Sequence, residues 1–438
     1  MGKRGCRPIC TDLSTVACKE RSNKATGVDA PIHYGHTSIL IDMHRVPSTL
    51  VAFVAVYALL YGAFGVQSPF LPALLRERGL HADEIGLVLG ASTAIRMFAG
   101  PALGQMADRT RRHTLLLLIC SILAAIAGFG YVSLSGFTPL LLAALMQAAM
   151  LAPIVPLSDA LATTAANQGL SGKAQQFDYG WVRASGSAAF VIGTTLSGWA
   201  LGRTGLTALP WLSGAVLAIG GVTALALPGL PIEASASIIR GAILRDWVLL
   251  LRITVYRRML IIAALVEGSH ALQDTFAVIR WRAAAIDPFI VSLLWSESVV
   301  SEVAVFLAIG PRLLRQFGTG WCCTLAAAAG AFRWTISAFT TSPIVIGFTQ
   351  PLHGLSFALL HLACMRLIVQ IVPIRLTATA QSAYVTLSIG LGITLLTLVS
   401  GILYEGMGGH AFLIMAGFCV LALPMCAGLR LSVDDKIS

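Results

Sequence analysis

Apolar stretches of about 20 residues recur along the chain from residue 48 to near residue 430, and each is long enough to cross a hydrocarbon core of roughly 30 Å as a helix. A membrane-spanning strand needs only about 10 residues and alternates in polarity, and no such alternation is present here. The mean hydropathy of +0.81 and 56% hydrophobic residue types agree with burial in lipid rather than in water. The expected fold class is therefore an all-α membrane protein with twelve transmembrane helices in two six-helix bundles. The spans run approximately over 48–72, 84–103, 114–133, 138–165, 180–202, 207–227, 259–280, 289–310, 320–340, 343–369, 376–400 and 408–430.

The formal charge of +10 does not point to nucleic acid, because the basic residues are dispersed among short loops. With the N-terminus inside, the inner loops carry Arg109, Arg111 and Arg112; Lys173 and Arg183; Arg240, Arg245, Arg252, Arg257 and Arg258; Arg312 and Arg315; and Arg366 and Arg375. The opposite loops carry fewer, with Arg76 and Arg78 offset by Glu77, Asp83 and Glu84. The positive-inside bias places both termini in the cytoplasm of a multi-pass protein, expected in a bacterial inner membrane.

Residues 1–46 read as a basic, disordered tail without an apolar run, and translation is expected to start at or near Met43. Bundles are expected over 47–227 and 259–431, with a cytoplasmic linker at 228–258 and a C-terminal tail at 432–438. GPRLLRQFG after span 8 echoes GQMADRTRR after span 2, with Leu314 in place of Asp108, which suggests duplication. In span 5, Ser185, Ala189, Gly193 and Ser197 make one smooth helix face, suited to close packing or to sliding. The nine cysteines match no zinc module or disulfide framework, and no metal or cofactor is expected.

Six plus six spans around a long inner loop is the plan of transporters that rock two bundles about a central site. Charge inside the membrane is costly and marks such sites. Arg96, Asp159, Glu267, His270, Asp274, Glu297, Glu302, Arg333, His353 and His361 are the ionisable residues within the spans. Glu267, His270 and Asp274 fall at i, i+3 and i+7 and are expected on one helix face, lining the cavity. Proton coupling is assigned to Glu302, Asp159, Asp274 and Glu267, since a carboxyl against apolar walls can hold and release a proton. Two readings stand for Asp159 and Glu302: proton carriers, or members of buried ion pairs with Arg96, Arg183 or Arg333. Arg96 and Arg333 offer a bidentate fork to a carboxylate solute, and His270, His353 and Trp295 complete the expected binding set. For His353 and His361, packing by hydrogen bonds is the alternative to proton transfer. Trp181, Trp295 and Trp334 either stack on an aromatic solute or settle at the membrane interface.

GQMADRTRRH resembles the loop motif of the major facilitator superfamily, G-x-x-x-D-R-x-G-R-R/K, with Arg111 where glycine is usual. The resemblance implies that Gly104, Asp108, Arg109 and Arg112 gate the inner face through charge contacts. PLSDALATTAA, DYGWVRASGSAAFVIG, LLWSESVVSEVAVF, FRWTISAF and HGLSFALLHLACMRLI, between residues 48 and 430, resemble the phenylpropionate permease branch. That branch is similar to the lactose/proton symporter group, which implies a monomeric, proton-coupled carrier of a small organic solute such as an aromatic carboxylate. Span 7 departs from the branch: EGSHALQDTFAVIRW has Gln273, Asp274 and Arg280 where tyrosines are expected.

Other classes have less support. NQGLSGKA lacks the first glycine and the final hydroxyl residue of a phosphate loop, and no H-E-x-x-H or G-x-S-x-G is present to make an enzyme. Efflux of small organic compounds and ligand sensing on a transporter fold remain the alternatives.

Overall fold

Helices form wherever an apolar stretch must satisfy its own backbone hydrogen bonds away from water. The computed structural model describes residues 48–170, 177–228 and 240–429. The expected tail at 1–46 with Met43, Lys173, most of the linker and the tail at 432–438 lie outside the described residues.

Each of the twelve expected spans coincides with helix. Span 1 is Ser48–Gln67, followed by a short helix Leu71–Glu77; span 2 is Ala82–Thr110 and span 3 is His113–Gly130. Span 4 divides into Phe137–Leu151 and Ile154–Leu170 around Pro153, whose missing N–H interrupts the ladder. Span 5 is Tyr179–Thr204 and span 6 is Leu209–Thr223. After the linker helix Arg240–Arg252, span 7 comprises Thr254–Gly268 and His270–Ala283. Span 8 is Pro288–Ala304 with a π-helical turn Val305–Ile309. Its inner extension runs into span 9 in one stretch, Gly310–Phe339, which breaks at Gly318. Span 10 contains Pro343–Thr349, a π segment Gly354–Leu359 and Leu360–Ile371. Span 11 contains Thr377–Tyr384, a π segment Val385–Gly390 and Leu391–Met407, and span 12 is Ala411–Ala427.

Eight stretches among the described residues are apolar and long enough to cross a membrane. Two of these, 52 and 54 residues long, each hold two spans, spans 8–9 and 11–12. Spans 5 and 7, the remaining two, carry the polar residues that lower their hydropathy.

Spans 1 and 5 pack closely, and so do spans 9 and 12. The smooth face of span 5 meets span 1 at backbone distance: a Cβ on Gly193 would collide with the Gly62 carbonyl oxygen. The first six spans touch the last six mainly through spans 2 and 11 and through spans 5 and 8. At one end this contact is tight. The Ala82 N–H donates to Glu405 Oε2 at 3.1 Å, and a Cβ on Gly86 would lie 2.7 Å from the Gly401 Cα. At the other end of span 2, a Cβ on Gly104 would meet nothing within 4 Å. The two halves thus close together at the Gly86 end. Large apolar side chains remain exposed, among them Leu307 at 78% and Phe348 at 82%, as expected of a surface that meets lipid.

Candidate functional site

Between the halves lies a cavity of about 520 Å³. Phe64, Leu151 and Phe190 supply apolar wall; Gln67, Arg96 and Asp274 supply polarity. A smaller cavity of about 150 Å³ shares Asp274 and Ile393 with it and is lined further by His270, Gln273, Trp295, Glu302, Arg333 and His353. Asp274 therefore stands at the junction of the two. Its position follows from the second half of span 7, which turns that carboxylate inward.

Arg96 has no hydrogen bond or ion pair among the described residues, so its guanidinium is free to meet a solute. Arg333 is differently placed. It is 2% exposed and donates to Gln350 Oε1 at 2.5 Å and to His353 Nδ1 at 3.2 Å, with its guanidinium 4.6 Å from the Trp334 ring centroid. Because arginine only donates, His353 Nδ1 accepts and the imidazole hydrogen sits on Nε2. That nitrogen faces Glu302 Oε2 at 3.6 Å. Arg333, His353 and Glu302 thus form a polarised row leading to the cavity wall.

His270 is fixed by its backbone. Nδ1 contacts the carbonyls of Val266 and Glu267 at 3.1 and 3.2 Å and so carries the hydrogen, leaving Nε2 to accept from Ser356 Oγ at 3.0 Å.

Glu267 corrects the expectation that all three residues line the cavity, although Ser269 between them keeps helical angles, φ −61° and ψ −18°. The Glu267 carboxyl is 0% exposed and lines neither cavity; it accepts from the Tyr384 hydroxyl at 2.7 Å. Nor, among the described residues, do Asp159 and Glu302 form the ion pairs with arginine that were one of their two readings. Asp159 Oδ1 accepts from Tyr57 at 2.5 Å and Tyr179 at 2.9 Å, while Arg183 donates to Tyr61 at 2.5 Å. The Tyr57 and Tyr61 rings stack at 5.5 Å and join the two interactions. These tyrosines were not anticipated, although two at i and i+4 in an otherwise aliphatic span 1 are a signal. Of the three tryptophans considered, only Trp295 lines a cavity; Trp181 is 59% exposed and Trp334 is buried, donating to Ser269 Oγ.

The family described as MFS_1 like matches residues 50–415. The chain belongs to this branch of the major facilitator superfamily. It is a multi-pass membrane transporter. The chain is 30% identical over 374 residues to the probable 3-phenylpropionic acid transporter of Escherichia coli (strain K12), covering 84% of this chain and 94% of that protein. It is 27% identical to the maltose permease of Geobacillus stearothermophilus over 81% of this chain and 87% of that one. Among solved structures, the nucleoside transporter NupG superposes with a TM-score of 0.78 at 19% identity, over 88% of this chain and 100% of that one. That likeness establishes the major facilitator fold.

The superfamily's loop motif lies between spans 2 and 3. Asp108 Oδ1 pairs with His113 Nε2 at 2.9 Å, across the turn. Arg109, Arg111 and Arg112 are exposed and make no ion pair among the described residues. Arg111 ends span 2 with φ 55° and ψ 27°, the left-handed conformation that glycine adopts more readily.

Proposed function

We propose that this transporter carries a small organic anion, of which an aromatic carboxylate is the model, together with a proton, from outside to inside. The carrying observation is the charge set around the cavities. Arg96 and Arg333 stand there against Asp274 and Glu302, and Arg333 and Glu302 both act electrostatically on Asp274. A bound carboxylate adds one negative charge to this balanced set, and one proton on Glu302 or Asp274 restores neutrality. In a site shielded from water, such compensation favours loading anion and proton together. Arg96 is the anion's partner, with Phe64 and Phe190 as walls for its apolar part. The name of the 30% identical relative, a probable 3-phenylpropionic acid transporter, supports this solute class.

The excess of arginine in the loops on the Asp108 side supports a cytoplasmic location for that face and for both termini, in the inner membrane of a bacterium. On this reading the close contact between the halves at Gly86 and Gly401 lies on the outer face. The bundles 47–227 and 259–431 rock about the Arg96–Asp274 region, with the linker 228–258 between them.

Uptake of labelled 3-phenylpropionate into proteoliposomes, with and without an inward proton gradient, tests the proposal. Accumulation above equilibrium only with the gradient is expected. Gradient-independent equilibration would remove proton coupling, and accumulation driven by an outward gradient would mean efflux. Replacing Arg96 with glutamine removes a charge-assisted contact worth about 2 kcal/mol, so KM for 3-phenylpropionate should rise on the order of tenfold or more.

A further inference from the structure

Glu267 lines no cavity, yet hydrogen bonds connect it toward one. Oε1 accepts from Tyr384, while Oε2 is buried with no hydrogen-bond partner among the described residues. The single hydroxyl hydrogen of Tyr384 is spent on Glu267, so the 3.0 Å contact between Tyr384 and His361 Nδ1 is donated by the imidazole. His361 Nε2 is then an open acceptor, and Glu302 is the charged group that acts electrostatically on this ring. Glu302, His361, Tyr384 and Glu267 come from spans 8, 10, 11 and 7.

A second observation marks the same residues. The three π-helical segments in the described residues lie beside members of this series: Val305–Ile309 begins three residues after Glu302, Gly354–Leu359 ends two before His361, and Val385–Gly390 begins directly after Tyr384. Such segments are rare and gather at functional sites, because the extra residue re-aims neighbouring side chains. Around Glu267 itself, Cys323 of span 9 and Cys364 of span 10 interact with it, and Cys426 of span 12 lies beside both. No cation faces it among the described residues. A buried oxygen without a donor is tolerable on a neutral acid and costly on an anion.

We infer that Glu267 is an internal proton store, filled from Glu302 through His361 and Tyr384; the identity of the donor rests on the proton-coupled reading above. A proton leaving Glu302 binds His361 Nε2. The Nδ1 hydrogen passes to the Tyr384 oxygen, and the Tyr384 hydroxyl hydrogen passes to Glu267 Oε1. One proton has entered and one is held, with the hydrogen bonds reversed: Glu267 donates to Tyr384, which donates to His361 Nδ1. Emptying runs the same steps backward. The heavy-atom positions suit both polarities, and an Oε2 without a donor costs less when the store is filled. Beyond Glu267 the series ends among thiols, so it stores protons rather than conducting them.

Infrared spectroscopy of the purified protein in lipid tests this without solute or gradient. A carbonyl band from a water-excluded protonated carboxyl is expected in the unmodified protein, absent in Glu267→Gln, and changing in amplitude after a pH jump. Tyr384→Phe should keep the band and slow its response roughly a hundredfold, the loss expected when a positioned proton-transfer group is removed. A band that ignores pH, or a Tyr384→Phe response at the unmodified rate, would overturn the store. If Glu267→Gln does not fold, the comparison of Tyr384→Phe with the unmodified protein still decides. Failure of proton-coupled uptake would appear in the proteoliposome experiment and leave this infrared response unaffected.

Discussion

At the scale of single residues, Glu302 is a carboxylate proposed to couple proton and solute. It borders the smaller cavity, and its Oε2 stands 3.6 Å from His353 Nε2. A carrier that must shed its proton before turning round empty needs that group for net accumulation and not for exchange, in which it stays loaded. Glu302→Gln imitates the loaded state. It should abolish gradient-driven uptake of 3-phenylpropionate while much of the exchange of labelled for unlabelled solute survives. Full accumulation by the variant would remove Glu302 from coupling; loss of exchange as well would make it a structural partner of His353. Asp108 is proposed to act in a different step. Its pairing with His113 lies in the span 2–3 turn, remote from the solute cavity's lining. Asp108→Asn should therefore lower the transport rate more than the affinity for 3-phenylpropionate, which rate and binding measurements on the same preparation separate.

At the scale of elements, breaks in helices matter more than their lengths. Arg111 and Gly318 occupy corresponding turns after spans 2 and 8, and both have positive φ, 55° and 77°. Glycine reaches this region without steric penalty, whereas a side chain there costs roughly 1–2 kcal/mol. Arg111→Gly should therefore stabilise the folded protein by about 1 kcal/mol, after allowance for the greater freedom of glycine in the unfolded chain. Thermal unfolding in detergent would register this as a raised midpoint, and a lowered one would mean that the Arg111 side chain has a stabilising partner. Helical spacing puts Glu267 near His270 and Asp274 on span 7, yet it is span 11, through Tyr384, that takes the Glu267 carboxyl.

At the scale of the whole molecule, the two halves touch at the Gly86 end of span 2. Gly86 and Gly401 permit the touching, because neither has a side chain to hold spans 2 and 11 apart. Gly86→Val would place a branched side chain where 2.7 Å is available to a Cβ, too little for any carbon. The expected outcome is a shift of population away from the conformation closed at Gly86. A cysteine introduced at Ser68, which lines the larger cavity, should then react faster with a membrane-impermeant thiol reagent added on the Gly86 side. The described native cysteines are buried and give a low background. An unchanged rate in a folded variant would mean that the Gly86–Gly401 contact does not control access.

The sequence by itself determined the class of molecule: runs of 20 apolar residues admit only helices in lipid, and arginine-rich loops on one side suggest an orientation. GQMADRTRRH and the motifs of spans 4, 5, 8, 9 and 10 were enough to point to the family. Candidate polar residues were also legible, since charge inside a membrane span is rare enough to stand out. What each does was not, because partners come from other spans at large sequence separation. Asp159 met Tyr57 and Tyr179 rather than an arginine, Arg333 met Gln350 and His353, and Tyr384, unremarkable in its own helix, joined His361 to Glu267. Hydropathy and spacing describe one helix at a time. Only packing decides which faces meet, and a π turn rotates a face by more than any spacing rule can foresee.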